Sequence, residues 1–105
     1  MANFAVRTLR VNVDTAGTAE QVVTVTTLVR EVTFVAPLAN AGNVVFGNDG
    51  AGDVTVSNGI ILVPGQRITI EAPSRPGFGD ERIDLSTFWF DAATNGDDID
   101  VLYFV

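Results

Sequence analysis

The sequence has no cysteine, no histidine and no lysine, and each absence removes a class of chemistry. Without cysteine there is no disulfide framework and no thiolate ligand or nucleophile, so stability has to come from packing. Without histidine the commonest general base, the usual partner of a nucleophilic serine and the commonest nitrogen ligand for zinc, copper or nickel are missing. Without lysine the only side-chain cations are the six arginines Arg7, Arg10, Arg30, Arg67, Arg75 and Arg82, scattered along a chain of net charge −7. Such a chain has no basic patch for a phosphate backbone, which argues against nucleic acid as a partner. Long hydrophobic runs are missing too. No segment approaches the ~20 apolar residues of a membrane span, and Met1 to Arg7 hold no stretch long enough for a signal h-region. The expectation is a chain made in the cytoplasm, unprocessed and without a membrane partner.

What is present is a globular composition: 105 residues, 47% apolar and 18% charged, the size of one ordinary domain with one core. A single domain is expected over 1–105, with 1–5 as a flexible N-terminal arm. A two-residue period with β-branched enrichment runs through nearly every segment, and no window offers a capped 3.6-residue pattern. Strands are predicted at Val6 to Val13, Gln21 to Thr27, Arg30 to Ala36, Asn43 to Phe46, Val54 to Ser57, Gly59 to Val63, Gln66 to Ala72, Arg82 to Asp91 and Asp98 to Val105. Short strands at close spacing, punctuated by Gly and Pro, predict an all-β fold. The architecture expected is a single β-sandwich, jelly-roll-like or Greek-key, of about eight short antiparallel strands. Ala72 to Asp80, with two prolines and two glycines, reads as a surface loop crossing between sheets.

The last strand is unusual. Val101, Leu102, Tyr103, Phe104 and Val105 are apolar on both faces, because neighbouring residues of a strand point to opposite sides. This predicts a tied-down strand with both sides against something dry, one of them another subunit. Asn95-Gly96 is the strongest short turn signal in the chain. A two-residue turn there makes the last two strands a hairpin, setting Phe90 against Val101, Phe88 against Tyr103 and Trp89 against Leu102, with Asp91 facing Asp100. Phe88, Trp89, Phe90, Leu102 and Phe104 are therefore expected in a subunit interface or the core.

With histidine and cysteine gone, catalysis is left to carboxylates. Asp80, Glu81, Asp84, Asp91, Asp97, Asp98 and Asp100 concentrate in the final quarter, and paired carboxylates can cleave glycosidic bonds. Most of them stand in turn contexts, where Asp hydrogen-bonds the local backbone, so no catalytic residue is assigned and no cofactor is expected. Calcium is the better version of the acidic hypothesis. Asn48, Asp49 and Asp53, or Asp91, Asn95, Asp97 and Asp98, supply hard oxygen ligands in loops. Against the EF-hand template Asp91 to Leu102 has Ala93 at the third position and Leu102 where a bidentate Glu belongs, so these remain weak metal candidates beside ordinary β-turns. Gly47 to Gly52 lacks the Lys-Ser/Thr of a phosphate-binding loop and precedes a strand. Trp89 with Phe88, Phe90 and Tyr103 suits a sugar-stacking platform, a subunit contact or plain core.

Three segments carry a resemblance: Ala-Asn-Ala-Gly-Asn-Val-Val-Phe-Gly at 39–47, Ser-Asn-Gly-Ile-Ile-Leu-Val-Pro-Gly-Gln-Arg-Ile-Thr-Ile at 57–70, and Ile-Asp-Leu-Ser-Thr-Phe-Trp-Phe-Asp at 83–91. With the closing Gly96 to Leu102, they resemble small β-sandwich proteins of tailed-phage virions, from about Glu31 onward. Gly47 and Gly59 are expected to allow positive φ, Pro64-Gly65 a tight turn, and Leu62, Ile68 and Ile70 one buried face. The resemblance implies a capsid decoration or cement protein that binds the major capsid protein on the outer surface of the phage head, as a homotrimer. Asn3, Phe4, Arg75 and Phe78, from the N-terminal arm and the 73–80 loop, are then candidate capsid contacts. The competing reading is a tail or spike module that binds host surface or glycan.

Overall fold

Alternation of apolar and polar residues becomes ten strands in the computed structural model, which describes residues 6–48, 54–55, 58–72 and 81–104. They are β1 (Val6–Asn12), β2 (Glu20–Gln21), β3 (Leu28–Val29), β4 (Glu31–Val35), β5 (Val44–Gly47), β6 (Ile60–Leu62), β7 (Arg67–Glu71), β8 (Ile83–Asp84), β9 (Trp89–Ala92) and β10 (Asp98–Phe104). A short 3₁₀ turn at Leu85–Thr87 is the only helical element among the described residues. Every strand pair is antiparallel, and the pairing is nested: β1 with β10, β2 with β9, β3 with β8, β4 with β7 and β5 with β6. Two further pairings, β10 with β4 and β9 with β5, join four of these pairs into sheet A, ordered β1-β10-β4-β7, and sheet B, ordered β2-β9-β5-β6, while β3 and β8 form a separate two-stranded sheet.

The protein is all-β, and the sheets share one core. Alternation sends Val32 and Phe34 of β4 and Ile99 and Val101 of β10 to the same cluster as Val44 and Phe46 of β5, Leu62 of β6, and Phe90 and Ala92 of β9. Burying each large apolar side chain contributes about 1.5–3 kcal/mol. Phe34 of sheet A lies between Phe46 and Phe88, with ring centroids 4.8 and 5.3 Å away. Leu62 is buried and Ile68 and Ile70 are half-buried against this core, so these three face one interior from two different sheets.

Two expected strands differ: Gln21 to Thr27 is mostly not a strand, and Arg82 to Asp91 is split by the 3₁₀ turn into β8 and β9. Only Glu20–Gln21 of the Val/Thr-rich region is a strand. Beyond it Val22 is buried, and Val25 is 68% exposed. Of the strand expected at 54–57 only Val54 and Thr55 are among the described residues, and Thr55 bridges Asn58.

The last hairpin does not form. β9 belongs to sheet B and β10 to sheet A, so Asn95-Gly96 sits at a corner between sheets. Phe90 lies opposite Glu20 and Phe46, and Trp89 opposite Gln21 and Gly47. Val101 lies opposite Leu9 and Phe34, Leu102 opposite Thr8 and Thr33, and Tyr103 opposite Arg7 and Val32. Asp91 faces Val45, while Asp100 faces Arg10 and Val35. The corner is made by contacts with distant chain. Gly96, at φ 85°, donates its N–H to the Val13 carbonyl at 2.7 Å. The buried Asp97 carboxylate accepts from the N–H groups of Ala41 and Gly42, both at 2.9 Å. Asn40 donates from its side chain to the Asp98 carbonyl at 2.8 Å and accepts from the Asp98 N–H at 2.9 Å.

Of the two glycines expected at positive φ, only Gly59 has it, at 139°. A Cβ there would lie 2.6 Å from Val45 Cγ1 and 2.8 Å from the Phe46 carbonyl oxygen. Gly47 is an ordinary strand residue that leaves room for Val54, whose Cγ2 would stand 3.2 Å from an added Cβ.

Asp84 caps the 3₁₀ turn by accepting from the Ser86 N–H at 3.0 Å, the Ser86 hydroxyl at 2.9 Å and the Thr27 N–H at 3.1 Å. The backbone and hydroxyl bonds of Ser86, then that of Thr27, hold its pKa below the ordinary carboxylate value. A lowered folded pKa gives stabilisation that is present in full above the unfolded value of about 4 and is lost as pH falls through the folded value. Melting temperature against pH should therefore fall less steeply below about pH 4 for Asp84→Asn than for the wild type. Parallel profiles would show that Asp84 gains nothing from its three donors.

Candidate functional site

Sheet A and sheet B treat their outer faces differently. On sheet B, Val45 and Asp91 point away from the core, yet each is only 1% exposed. The chain itself supplies the cover: Gly17 N–H donates to Asp91 Oδ1 at 3.0 Å, and the Ala92 N–H donates to the same oxygen at 2.8 Å. Trp89, also on this outer face, is half-buried.

Sheet A's outer face carries no comparable layer among the described residues. Its cross-strand rows follow from the register. One row runs Val6, Phe104, Glu31, Glu71; the next runs Thr8, Leu102, Thr33, Thr69; the third runs Arg10, Asp100, Val35, Arg67. Asn12 and Asp98 begin a fourth. Val6 is 57% exposed, and Phe104, Leu102 and Val35 are half-buried beside their polar neighbours. The last strand thus has two apolar sides, as expected: Ile99, Val101 and Tyr103 face the core, while Leu102 and Phe104 face outward.

Charged groups flank this apolar strip. Arg10 donates to Asp100 in a two-bonded fork, Nε to Oδ1 at 2.5 Å and Nη2 to Oδ2 at 2.9 Å, the geometry in which a guanidinium meets a carboxylate best. The hydrogen bond and charge of Asp100 raise the Arg10 pKa further above its ordinary value. Asp98 lies 3.9 Å from Arg10 Nη1 and accepts from Asn12 Nδ2 at 2.7 Å. An open depression of about 470 Å³ lies over Thr8, Arg10, Val35, Asp100 and Leu102. At the other end Glu31 and Glu71 stand directly opposite each other, an unfavourable pairing on a bare sheet.

The expected site residues distribute as follows. Phe88 and Phe90 are core, at 7% and 0% exposure; Leu102 and Phe104 belong to the outer strip; Trp89 stands on the opposite sheet. Asn3, Phe4, Arg75 and Phe78 lie outside the described residues, as do Asp49 and Asp53 of the first calcium set, while Asn48 is exposed. The other calcium candidates all hold chain segments. Asp91 and Asp97 accept backbone N–H groups as above, Asn95 accepts from the Ala16 N–H at 2.7 Å, and Asp98 is taken by Asn12 and Arg10. Among the described residues no group of three acidic side chains is placed to hold a metal. Sequence reasoning missed Val6, Arg10, Val35 and Asp100 as members of one surface. The signal was their even spacing with Thr8 and Thr33, legible only once β1 and β4 are known to flank β10.

The class that this geometry defines is a small all-β protein of two four-stranded sheets and a two-stranded one, in which, among the described residues, one large sheet has an uncovered outer face. Comparison with protein-family models, with curated proteins and with solved structures finds no match.

Proposed function

We propose that this chain is a noncatalytic structural protein of a tailed-phage virion, of the capsid decoration or cement type. It binds the major capsid protein on the outside of the head through the outer face of sheet A. The observation that carries this reading is the contrast between the two outer faces. Sheet B is roofed by its own chain, whereas sheet A, among the described residues, leaves the strip of Val6, Phe104, Leu102 and Val35 uncovered between charged margins, the mixture of apolar centre and polar rim found at protein interfaces.

The strand order supports it more weakly. Sheets ordered β1-β10-β4-β7 and β2-β9-β5-β6 have the nesting of a double-sheet jelly roll, an architecture shared by viral capsid, lectin and cupin domains. Fold alone does not assign function. The mechanism is mass action: a protein that binds only the assembled shell stabilises it against disassembly.

Purified heads stripped of decoration protein provide the test. Wild-type protein should bind them to a fixed stoichiometry and raise the temperature at which they open, and Leu102→Glu, folded by circular dichroism, should do neither. Failure of the wild type to bind, with binding to host cells or glycans in its place, would replace this reading by the tail or spike module.

A further inference from the structure

Among the described residues β7 and β6 are edge strands of sheets A and B, on the side where the turn 63–66 joins them. Among the described residues β7 has one strand neighbour, β4. Its unused hydrogen-bonding groups can be named. Ala72 N–H donates to the Arg30 carbonyl at 2.7 Å, and Ala36 N–H to the Gln66 carbonyl at 2.9 Å. Bonded pairs alternate along an antiparallel ladder, so Ile70 and Ile68 exchange hydrogen bonds with Val32 and Phe34, their partners in register. The N–H and C=O groups of Arg67, Thr69 and Glu71 therefore point away from β4, along the open edge.

Those same three residues make β7 complementary to itself. Its sequence is Arg-Ile-Thr-Ile-Glu. Set antiparallel to a second copy about a twofold axis through Thr69, it places Arg67 opposite Glu71, Ile68 opposite Ile70 and Thr69 opposite Thr69. Every outward-directed backbone group of the three then finds a partner, because the pairs that must exchange hydrogen bonds are the Arg67–Glu71 pairs and the central threonine pair. Charge selects this register over its neighbours. Centring the axis on Arg67 or on Glu71 opposes like charges, and centring it on Ile68 or Ile70 leaves both ion pairs unmade.

Three further observations fit. The Glu31–Glu71 juxtaposition gains a guanidinium, since Arg67 of the second copy falls next to Glu71 in the same cross-strand row. Ile68 and Ile70, half-buried at the open side of the core, meet their counterparts. Ile60 and Val63, 51% and 49% exposed on and just after the adjoining edge strand β6, lie on the side that the second copy approaches. β1, the other edge of sheet A, offers no such match: Arg7 and Arg10 are its only charges.

We infer that two copies of this chain join β7 to β7 about a twofold axis, with reciprocal Arg67–Glu71 pairs, to make one continuous eight-stranded sheet from two sheets A. The contact goes beyond the virion reading and does not rest on it. Its symmetry differs from the threefold that the family resemblance implies. It also doubles the outer face available to any partner of sheet A, so that attachment becomes bivalent.

Size-exclusion chromatography with light scattering on the full chain, at micromolar concentrations, reads the contact directly and needs no capsid. The wild type should run at twice the 11.1 kDa chain mass. Arg67→Glu and Glu71→Arg should each weaken association by about tenfold or more, since two attractions become two repulsions. The double variant R67E/E71R should restore it, because the pairs re-form with their signs exchanged. These substitutions are at exposed positions, and circular dichroism verifies that each variant folds. A monomeric wild type overturns the inference, as does a dimer or trimer whose mass ignores both single reversals, or a folded double variant that stays dissociated.

Discussion

Phe34→Ala is expected to lower the unfolding free energy by about 4 kcal/mol, a large share of the roughly 5–15 kcal/mol that holds a domain of this size together. Phe34 is fully buried and belongs to sheet A, while its ring neighbours Phe46 and Phe88 come from β5 and from the residue before β9, on the sheet B side. Removing it therefore loses burial and also opens a cavity at the point where the two sheets are tied. Phe34→Leu keeps most of the volume and should cost about 1–2 kcal/mol. Equilibrium urea unfolding measures both, and the melting temperature of the alanine variant should fall by about 15–30 °C. A loss below about 1 kcal/mol for the alanine variant would mean that the sheets are not packed through this trio.

Asp97→Ala should cost about 3 kcal/mol, nearly as much as a core aromatic although the side chain is polar. The reason is asymmetry. The carboxylate satisfies the N–H groups of both Ala41 and Gly42, and deleting it strands two donors in a part-buried site as well as removing two charge-assisted bonds. Asp97→Asn keeps one acceptor and turns an NH₂ toward the other donor, so it should recover at most half of the loss. Hydrogen exchange gives a local readout: the Ala41 and Gly42 amides should lose protection in both variants while those of β4 in Asp97→Asn keep most of theirs. Unchanged exchange at 41 and 42 would show that another group holds the corner.

The strands that could be read from sequence were those whose pattern is local. β1, β4 and β7 each alternate, β5 and β6 are short apolar runs, and the ends are marked by signals such as Asp14, Pro37 or Pro64-Gly65. Val22 to Thr27 alternates as cleanly, but a strand needs a neighbour over its whole length. Here β9 offers β2 only Trp89 and Phe90 as partners before the chain gives way to the Asp84-capped turn. Asn95-Gly96 misled for a related reason. The dipeptide specifies a bend, and nothing local says whether the strands it joins share a sheet. That is decided by Asp97 and Asn40, residues 57 positions apart in the chain whose hydrogen bonds send β10 to the other layer. The outer strip was half legible: Leu102 and Phe104 stood out because they break the polar alternation of a surface face. Val6, Arg10 and Val35 did not, being ordinary members of ordinary strands until β10 is inserted between them.

That insertion fixes when the fold can form. β10 is the centre of sheet A but comes last among its strands, and Arg10 meets Asp100 across 90 positions of sequence. During synthesis β1 waits with its inward residues, Leu9 and Val11, turned to water, while β4 can already pair with β7 and β5 with β6. Sheet A is completed only when β10 enters between β1 and β4, through pairings distant in sequence and correspondingly slow. A nascent chain halted before residue 98 lacks the strand between β1 and β4, and for that interval its protection from aggregation falls to whatever else binds exposed strands in the cell.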